Sequence, residues 1–144
     1  MKTRRQGTHR HDRRRAERGQ AMMEFAVVAT LFAVLMAGVL EFGRAWSAAN
    51  VLNAAARDGA RLAAVTATNR TTTVKARVEG TAASYFAGSN LTVQVTGGKG
   101  ASGEPIVTVQ ATGKLTSLFG TYLLGANKIA MSRSVTMRDE TVAN

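Results

Sequence analysis

Residues 18–44 read RGQAMMEFAVVATLFAVLMAGVLEFGR, and this stretch decides the fold. From Ala21 to Leu40 there are twenty residues, of which only Glu24 is charged. About twenty apolar residues carry a helix across the hydrocarbon core of a bilayer. The chain reads as one membrane-spanning helix, with a basic leader before it and a small head after it. The anomaly is Glu24, placed inside the apolar run rather than beside it.

Working outward, residues 1–19 hold eight of the basic side chains against Asp12 and Glu17, which is net +6 of the chain's +10. A net charge of +10 with a pI near 11.3 suggests nucleic acid. Located next to an apolar span, however, the charge matches the Lys/Arg excess of cytoplasmic membrane flanks. The expected topology is a single pass with the N-terminus cytoplasmic, the head outside, and no nucleic-acid partner. Residues 1–18 are polar, basic and non-periodic, so they are expected to be disordered or associated with the membrane surface. His9 and His11 fall in this block without partners at ligand spacing.

Phe25, Val28, Phe32, Leu35, Val39, Phe42 and Trp46 recur at spacings of three and four, one stripe of a helix. Ala29, Ala33 and Ala37 form a small-residue row that lets another helix approach closely. Inside a span such stripes also arise by chance, because almost every residue is apolar. The pattern means more from Ala48 to Ala67, where Leu52, Ala55, Ala56, Gly59, Leu62 and Ala63 share one side. Arg57, Asp58 and Arg61 crowd the other, with Asp58 and Arg61 spaced to pair. No proline interrupts residues 20–67, so one long helix is expected, spanning the membrane at about 21–40 and needing partners for its Ala-rich face.

Residues 68–144 read as the head. Thr68 to Thr73 is a polar break rich in capping residues, followed by Val74, Val78, Ala82 and Tyr85/Phe86 at helical spacing. Leu91–Val95, Val107–Ala111 and Lys128–Arg138 alternate as strands, and a glycine-rich connector from Gly97 to Pro105 suits a hairpin loop. That connector lacks the Lys-Ser/Thr ending and following helix of a phosphate-binding loop. Leu115, Leu118, Phe119, Tyr122 and Leu123 suit a short apolar helix or packed loop. The fold class is α+β: a long N-terminal helix, one head helix and about three antiparallel strands. A core of this size supplies only about 3–5 kcal/mol. With no cysteine to staple it, the head is expected to lean on the long helix or on neighbouring subunits.

There is no Ser-His-acid set, metal cluster or dinucleotide motif, and Asp58, Glu79, Glu104, Asp139 and Glu140 are scattered through polar segments, so neither enzyme activity nor a cofactor is expected. What remains is Gly19-Gln-Ala-Met-Met-Glu-Phe25. A carboxylate within a span costs about 2.5–3.5 kcal/mol on insertion scales, which marks Glu24 as a functional candidate. Two readings stand. Glu24 either lies close enough to the cytoplasmic end to reach the headgroups, or it pairs with a charge supplied by another subunit. If the chain is cut after Gly19, the new ammonium of Gln20 lies one helical turn from Glu24. A second subunit shifted along the axis would then set its own ammonium against this carboxylate and fix the stagger between subunits.

Glycine, four residues, Glu and an aromatic, between a basic leader and an apolar helix, resembles the processing site of type IV pilin-like proteins. Glu41-Phe-Gly-Arg-Ala-Trp46, Asn53 to Arg61 and the closing Ala130 to Arg138 resemble the TadE-like minor pilins or pseudopilins of tight-adherence (Tad/Flp) pilus systems. The resemblance implies cleavage by a prepilin peptidase between Gly19 and Gln20, and roles for Glu24 and Phe25 in pairing and assembly. It implies helix packing through Phe32, Leu35, Val39, Phe42 and Trp46 with the alanine row, and a family-like polar face of Glu41, Arg44, Arg57 and Arg61. The implied partners are the lipid bilayer, the major Flp pilin, other minor pilins, and the inner-membrane platform with its ATPase. The implied location is the inner membrane, then a filament after assembly. Two rival readings have no pilus role: a secreted soluble protein whose ordinary signal sequence is cut at Ser47-Ala-Ala49 before Asn50, and an uncleaved single-pass membrane anchor whose head binds something else.

Overall fold

The computed structural model describes residues 8–86, 88–120, 125 and 127–142, with residues 8–18 and Ser89 described by backbone alone. Helix α1 runs Thr8–Val65, α2 Arg70–Ala82, and strands β1 Leu91–Lys99, β2 Pro105–Thr116 and β3 Lys128–Arg138 follow. The architecture is α+β, as the patterning predicts. The chain divides into two compact units, residues 1–40 and 41–144.

The first unit is helical from Thr8 onward. Of the two expectations before Gly19, disorder is therefore corrected for residues 8–18, while residues 1–7 lie outside the described residues. Nothing in residues 8–18 breaks a helix, as there is neither proline nor glycine among them. From Ala21 to Leu40 the side chains are exposed except for half-exposed Ala29 and Ala37. The hydroxyl of Thr30 donates to the Ala26 carbonyl at 2.8 Å, which satisfies a polar group with no outside partner.

The second unit takes in the last 25 residues of α1, Glu41 to Val65, so the head begins well before the polar break at Thr68. Its core is Ala48, Leu52, Ala55, Ala56, Ala60, Ala63 and Ala64 from α1, Val74, Val78 and Ala82 from α2, with Phe86, Leu91, Val107, Val109, Ala111 and Leu115. The sequence-derived face holds for Leu52, Ala55, Ala56, Gly59 and Ala63, while Leu62 is half-buried. Small residues dominate on α1 because the helix lies very close to its neighbours. A Cβ on Gly59 would meet Val78 Cγ2 at 2.5 Å, Val74 Cγ1 at 3.4 Å and Val109 Cγ1 at 3.5 Å. Glycine is required at that crossing.

The sheet order is β1-β2-β3, antiparallel throughout. Val107, Val109, Ala111, Gly113 and Leu115 face the core. Their neighbours Thr108, Gln110, Thr112 and Lys114 face away and join Thr136, Ser134, Ser132 and Ala130 of β3 in register. Alternation thus gives one apolar and one hydroxyl- and amide-rich face. Thr108 and Thr136 hydroxyls lie 2.9 Å apart. Gly113 admits the ring of Phe86: a Cβ there would stand 2.5 Å from Phe86 Cε1. The hairpin loop is shorter than the glycine pattern suggests, because Gly97 and Gly98 are paired within β1. Leu115 belongs to β2 as its last core-facing residue rather than to a short helix or loop, Leu118 is exposed and Phe119 half-buried, while the expectations for Tyr122 and Leu123 lie outside the described residues.

Polar contacts order α1 along β2. Arg44 Nη2 donates to the Thr116 carbonyl at 3.5 Å near one end. At the other, Glu140 N–H donates to the Ala64 carbonyl at 3.0 Å, and Asp139 N–H to the Pro105 carbonyl at 2.9 Å. The twenty residues from Arg44 to Ala64 cover about 30 Å of helix, so α1 runs the length of β2 in the opposite sense. Asn69 precedes α2 in the left-handed conformation (φ 53°) and makes no side-chain cap. Its carbonyl instead accepts from the N–H and hydroxyl of Thr73 at 3.0 and 3.1 Å. The expected side-chain capping there is absent because backbone turn geometry already supplies the first bonds.

Arg70 and Asp139 tie the chain's end to the α1–α2 junction. Arg70 Nη1 and Nη2 donate to the Asp139 carboxylate at 2.6 and 2.9 Å, and Nε to the Thr66 carbonyl at 2.7 Å. The Thr141 N–H and hydroxyl donate to the same carboxylate at 3.1 and 2.6 Å. Hydrogen bonds from Arg70, then Thr141, hold the Asp139 carboxyl below its ordinary value of 3.8, against the opposing effect of burial.

Gly59→Ala places a methyl where Val78 stands, an overpacking that costs about 1–3 kcal/mol, whereas Gly80→Ala on the open side of α2 gains up to about 1 kcal/mol of helix propensity. Thermal denaturation of the two detergent-solubilised variants should move in opposite directions. The Asp139 ion pair makes stability pH-dependent. A depressed folded pKa means that the unfolded chain takes up the proton first as pH falls. The contribution is therefore complete above 3.8 and is lost as pH drops from there through the lower folded value. An acid titration of unfolding should show this step in the wild type and lack it in Asp139→Asn.

Candidate processing and assembly site

Gly19, Gln20, Glu24 and Phe25 lie on continuous helical backbone and all are exposed. Gln20 and Glu24 are one turn apart, about 6 Å along the axis. A Cβ added to Gly19 would meet no atom within 4 Å, and the same holds for Gly38 and Gly43. Nothing inside this fold requires glycine at position 19. Glu24 makes no side-chain hydrogen bond or ion pair among the described residues, and Phe25 is 74% exposed. The peptide bond after Gly19, the carboxylate and the aromatic are thus all presented outward, on a segment whose own fold makes no use of them.

The span behind them is one helix long and apolar enough to cross a membrane, with none of its most apolar window buried. Phe32, Leu35 and Val39 are exposed, Ala33 is exposed, and Ala29 and Ala37 half-exposed. The packing stripe therefore has no partner within the described chain. Phe42 and Trp46, at its end, stack on each other with ring centroids 6.2 Å apart and remain 69% and 63% exposed.

The four residues grouped as a polar face separate into two pairs. Glu41 and Arg44 are partly buried and joined at 3.5 Å. Glu41 also accepts from Leu118 N–H at 3.2–3.3 Å. Together they fasten the end of β2 to the first turn of the head. Arg57 and Arg61 are exposed and have no hydrogen bond or ion pair among the described residues. Asp58 and Arg61, though spaced to pair, do not; Asp58 takes Arg77 of α2 instead at 2.5 Å, since α2 runs beside it.

Sequence reasoning missed three contacts. Leu118 and Glu41 are 77 residues apart, Arg70 and Asp139 69 apart, and Ser47 accepts from the Tyr85 hydroxyl at 2.8 Å across 38. No local pattern signals such pairs. The acid pair Asp139-Glu140 directly after the third strand is the only local signal for Asp139. Among the described residues, no three His, Cys, Asp or Glu gather where they could hold a metal ion.

Fold and site together define a class: an α+β protein whose N-terminal helix both suits a membrane span and forms the spine of a small head. A family model described as TadE-like protein matches residues 19–61, beginning at the glycine of the candidate cleavage site. The resemblance read from the sequence is borne out over those 43 of 144 residues. α2 and the sheet lie beyond the match. No curated protein and no solved structure matches the chain.

Proposed function

We propose that this protein is a minor pilin or pseudopilin that contributes to assembly of a Tad/Flp pilus and carries out no catalysis itself. A prepilin peptidase cuts after Gly19, the mature chain resides in the inner membrane with its head outside, and its N-terminal helix then packs among other pilins. The observation that carries this reading is the coincidence at Gly19. The TadE-like match starts there, and the chain's own packing places no demand for glycine there. A peptidase that must approach the backbone closely supplies the demand.

The exposed, unpartnered Glu24 fits the same account. An isolated charge in hydrocarbon is costly, and a subunit whose Gln20 ammonium reaches the carboxylate neutralises two such charges at once. The major Flp pilin and other minor pilins are the partners in that packing. The inner-membrane platform and its ATPase are those in assembly. Cleavage before Asn50 is disfavoured because it would strip the head of Glu41, Arg44, Ser47 and the fully buried Ala48.

Two variants test the proposal in cells that carry the whole pilus system. Gly19→Leu should leave the chain unprocessed, seen as retention of the leader's mass. Glu24→Val should be cut and inserted normally but fail to enter filaments. Normal maturation of the first variant removes the peptidase from the account, and filaments containing the second at wild-type level reduce Glu24 to a residue that reaches the headgroups.

A further inference from the structure

We propose that one end of the head, formed by Phe42, Trp46 and Leu118 with Arg44, Lys114 and Lys128, rests in the outer interfacial layer of the bilayer that the span crosses. This rests on the membrane-spanning reading of residues 21–40. Glu41 follows Leu40 directly in the chain, so Phe42 and Trp46 stand two and six residues past the end of the apolar run.

Three observations meet there. Phe42 and Trp46 form a stacked pair, both more than 60% exposed, on the first turn and a half of the head. Amphipathic aromatic rings at this depth concentrate in the headgroup layer. Leu118 is 55% exposed, yet its N–H is held by the Glu41 carboxylate, which brings the segment after β2 to the same level as the helix exit. An exposed leucine fixed beside the exit of a span is placed for lipid. The third observation is charge. Arg44 reaches the Thr116 carbonyl, Thr116 pairs with Lys128 in register and Lys114 with Ala130, so three cations gather at this end. The acid among them, Glu41, is engaged by Arg44 and Leu118. Glu104, Asp139 and Glu140 belong to the other end of β2, where Asp139 bonds Pro105. Exposed apolar side chains ringed by long cations suit an interface, with stems along the acyl boundary and charges at lipid phosphates.

The chain has one tryptophan and no cysteine, which makes single-site labelling clean. The full-length protein is placed in nanodiscs of phosphatidylethanolamine and phosphatidylglycerol, with a nitroxide on Leu35→Cys, Leu118→Cys or Gln110→Cys. Collisions with oxygen and with a water-soluble nickel chelate are compared. The oxygen-to-nickel ratio at position 118 should lie several-fold above that at Gln110, on the sheet's polar face, and below that at Leu35. Trp46 emission should be quenched by lipids brominated near the headgroup. If positions 118 and 46 behave like position 110 while 35 stays in hydrocarbon, the head stands clear of the bilayer and the proposal is overturned. Position 118 shielded from both reagents, with spin–spin broadening, assigns the patch to a second copy and overturns it equally. A water-exposed Leu35 removes the span itself, and the proposal with it.

Discussion

Gly59 sits where α1 crosses α2 and β2, and the head is arranged around the close approach that its missing side chain permits. The rest of the α1 seam is nearly all alanine, from Ala48 through Ala55, Ala56, Ala60 and Ala63 to Ala64, with Leu52 the one large member. Small residues forfeit hydrophobic area per position, so the core gains its stability from proximity and from number rather than from bulk. The helix therefore cannot be shifted along or rotated about its axis without opening gaps or creating clashes. It is fixed against β2, and the polar ties at Arg44, Ser47 and Ala64 repeat that register along its length. The same helix continues without interruption into the apolar run that ends at Leu40, so one element answers to two solvents. It is apolar all round where lipid is expected, and one-faced where it supports the head.

Much of this was legible in the sequence. The length of the apolar run, the alternation of Leu91–Val95, Val107–Ala111 and Lys128–Arg138, and the spacing of Val74, Val78 and Ala82 are periodic signals, and the elements they define are present. The small-residue face of α1 was visible for the same reason. What was hidden is long-range or conformational. Asp58 has Arg61 at a suitable spacing in its own helix, but α2 brings Arg77 nearer, and tertiary proximity wins over local spacing. Asn69 does not cap through its side chain because its backbone takes the left-handed conformation. Glu41 and Arg44 looked like part of one charged face with Arg57 and Arg61. Only the return of the chain at Leu118, far away in sequence, makes the first two structural and leaves the last two in solvent.

The candidate site is legible in a different sense. Its residues are adjacent in sequence, so the motif could be read without a fold, and the structure adds what those residues are not doing. Gly19 relieves no clash, Glu24 has no partner among the described residues, and Phe25 covers nothing. By contrast, Gly59, Gly113 and Asp139 are each explained by a contact inside the head. Residues that break a local rule without an internal compensation are where a protein's function is expected to sit. Here three of them fall within seven positions, at the start of the TadE-like match.

The central claim is that the working form of this protein begins at Gln20, with a free ammonium one helical turn from Glu24. N-terminal sequencing of the protein extracted from membranes of cells with an intact pilus system tests it most directly. The account predicts a single sequence starting Gln20-Ala-Met-Met-Glu24. A sequence starting at Asn50, or an intact leader starting at Met1, would contradict it.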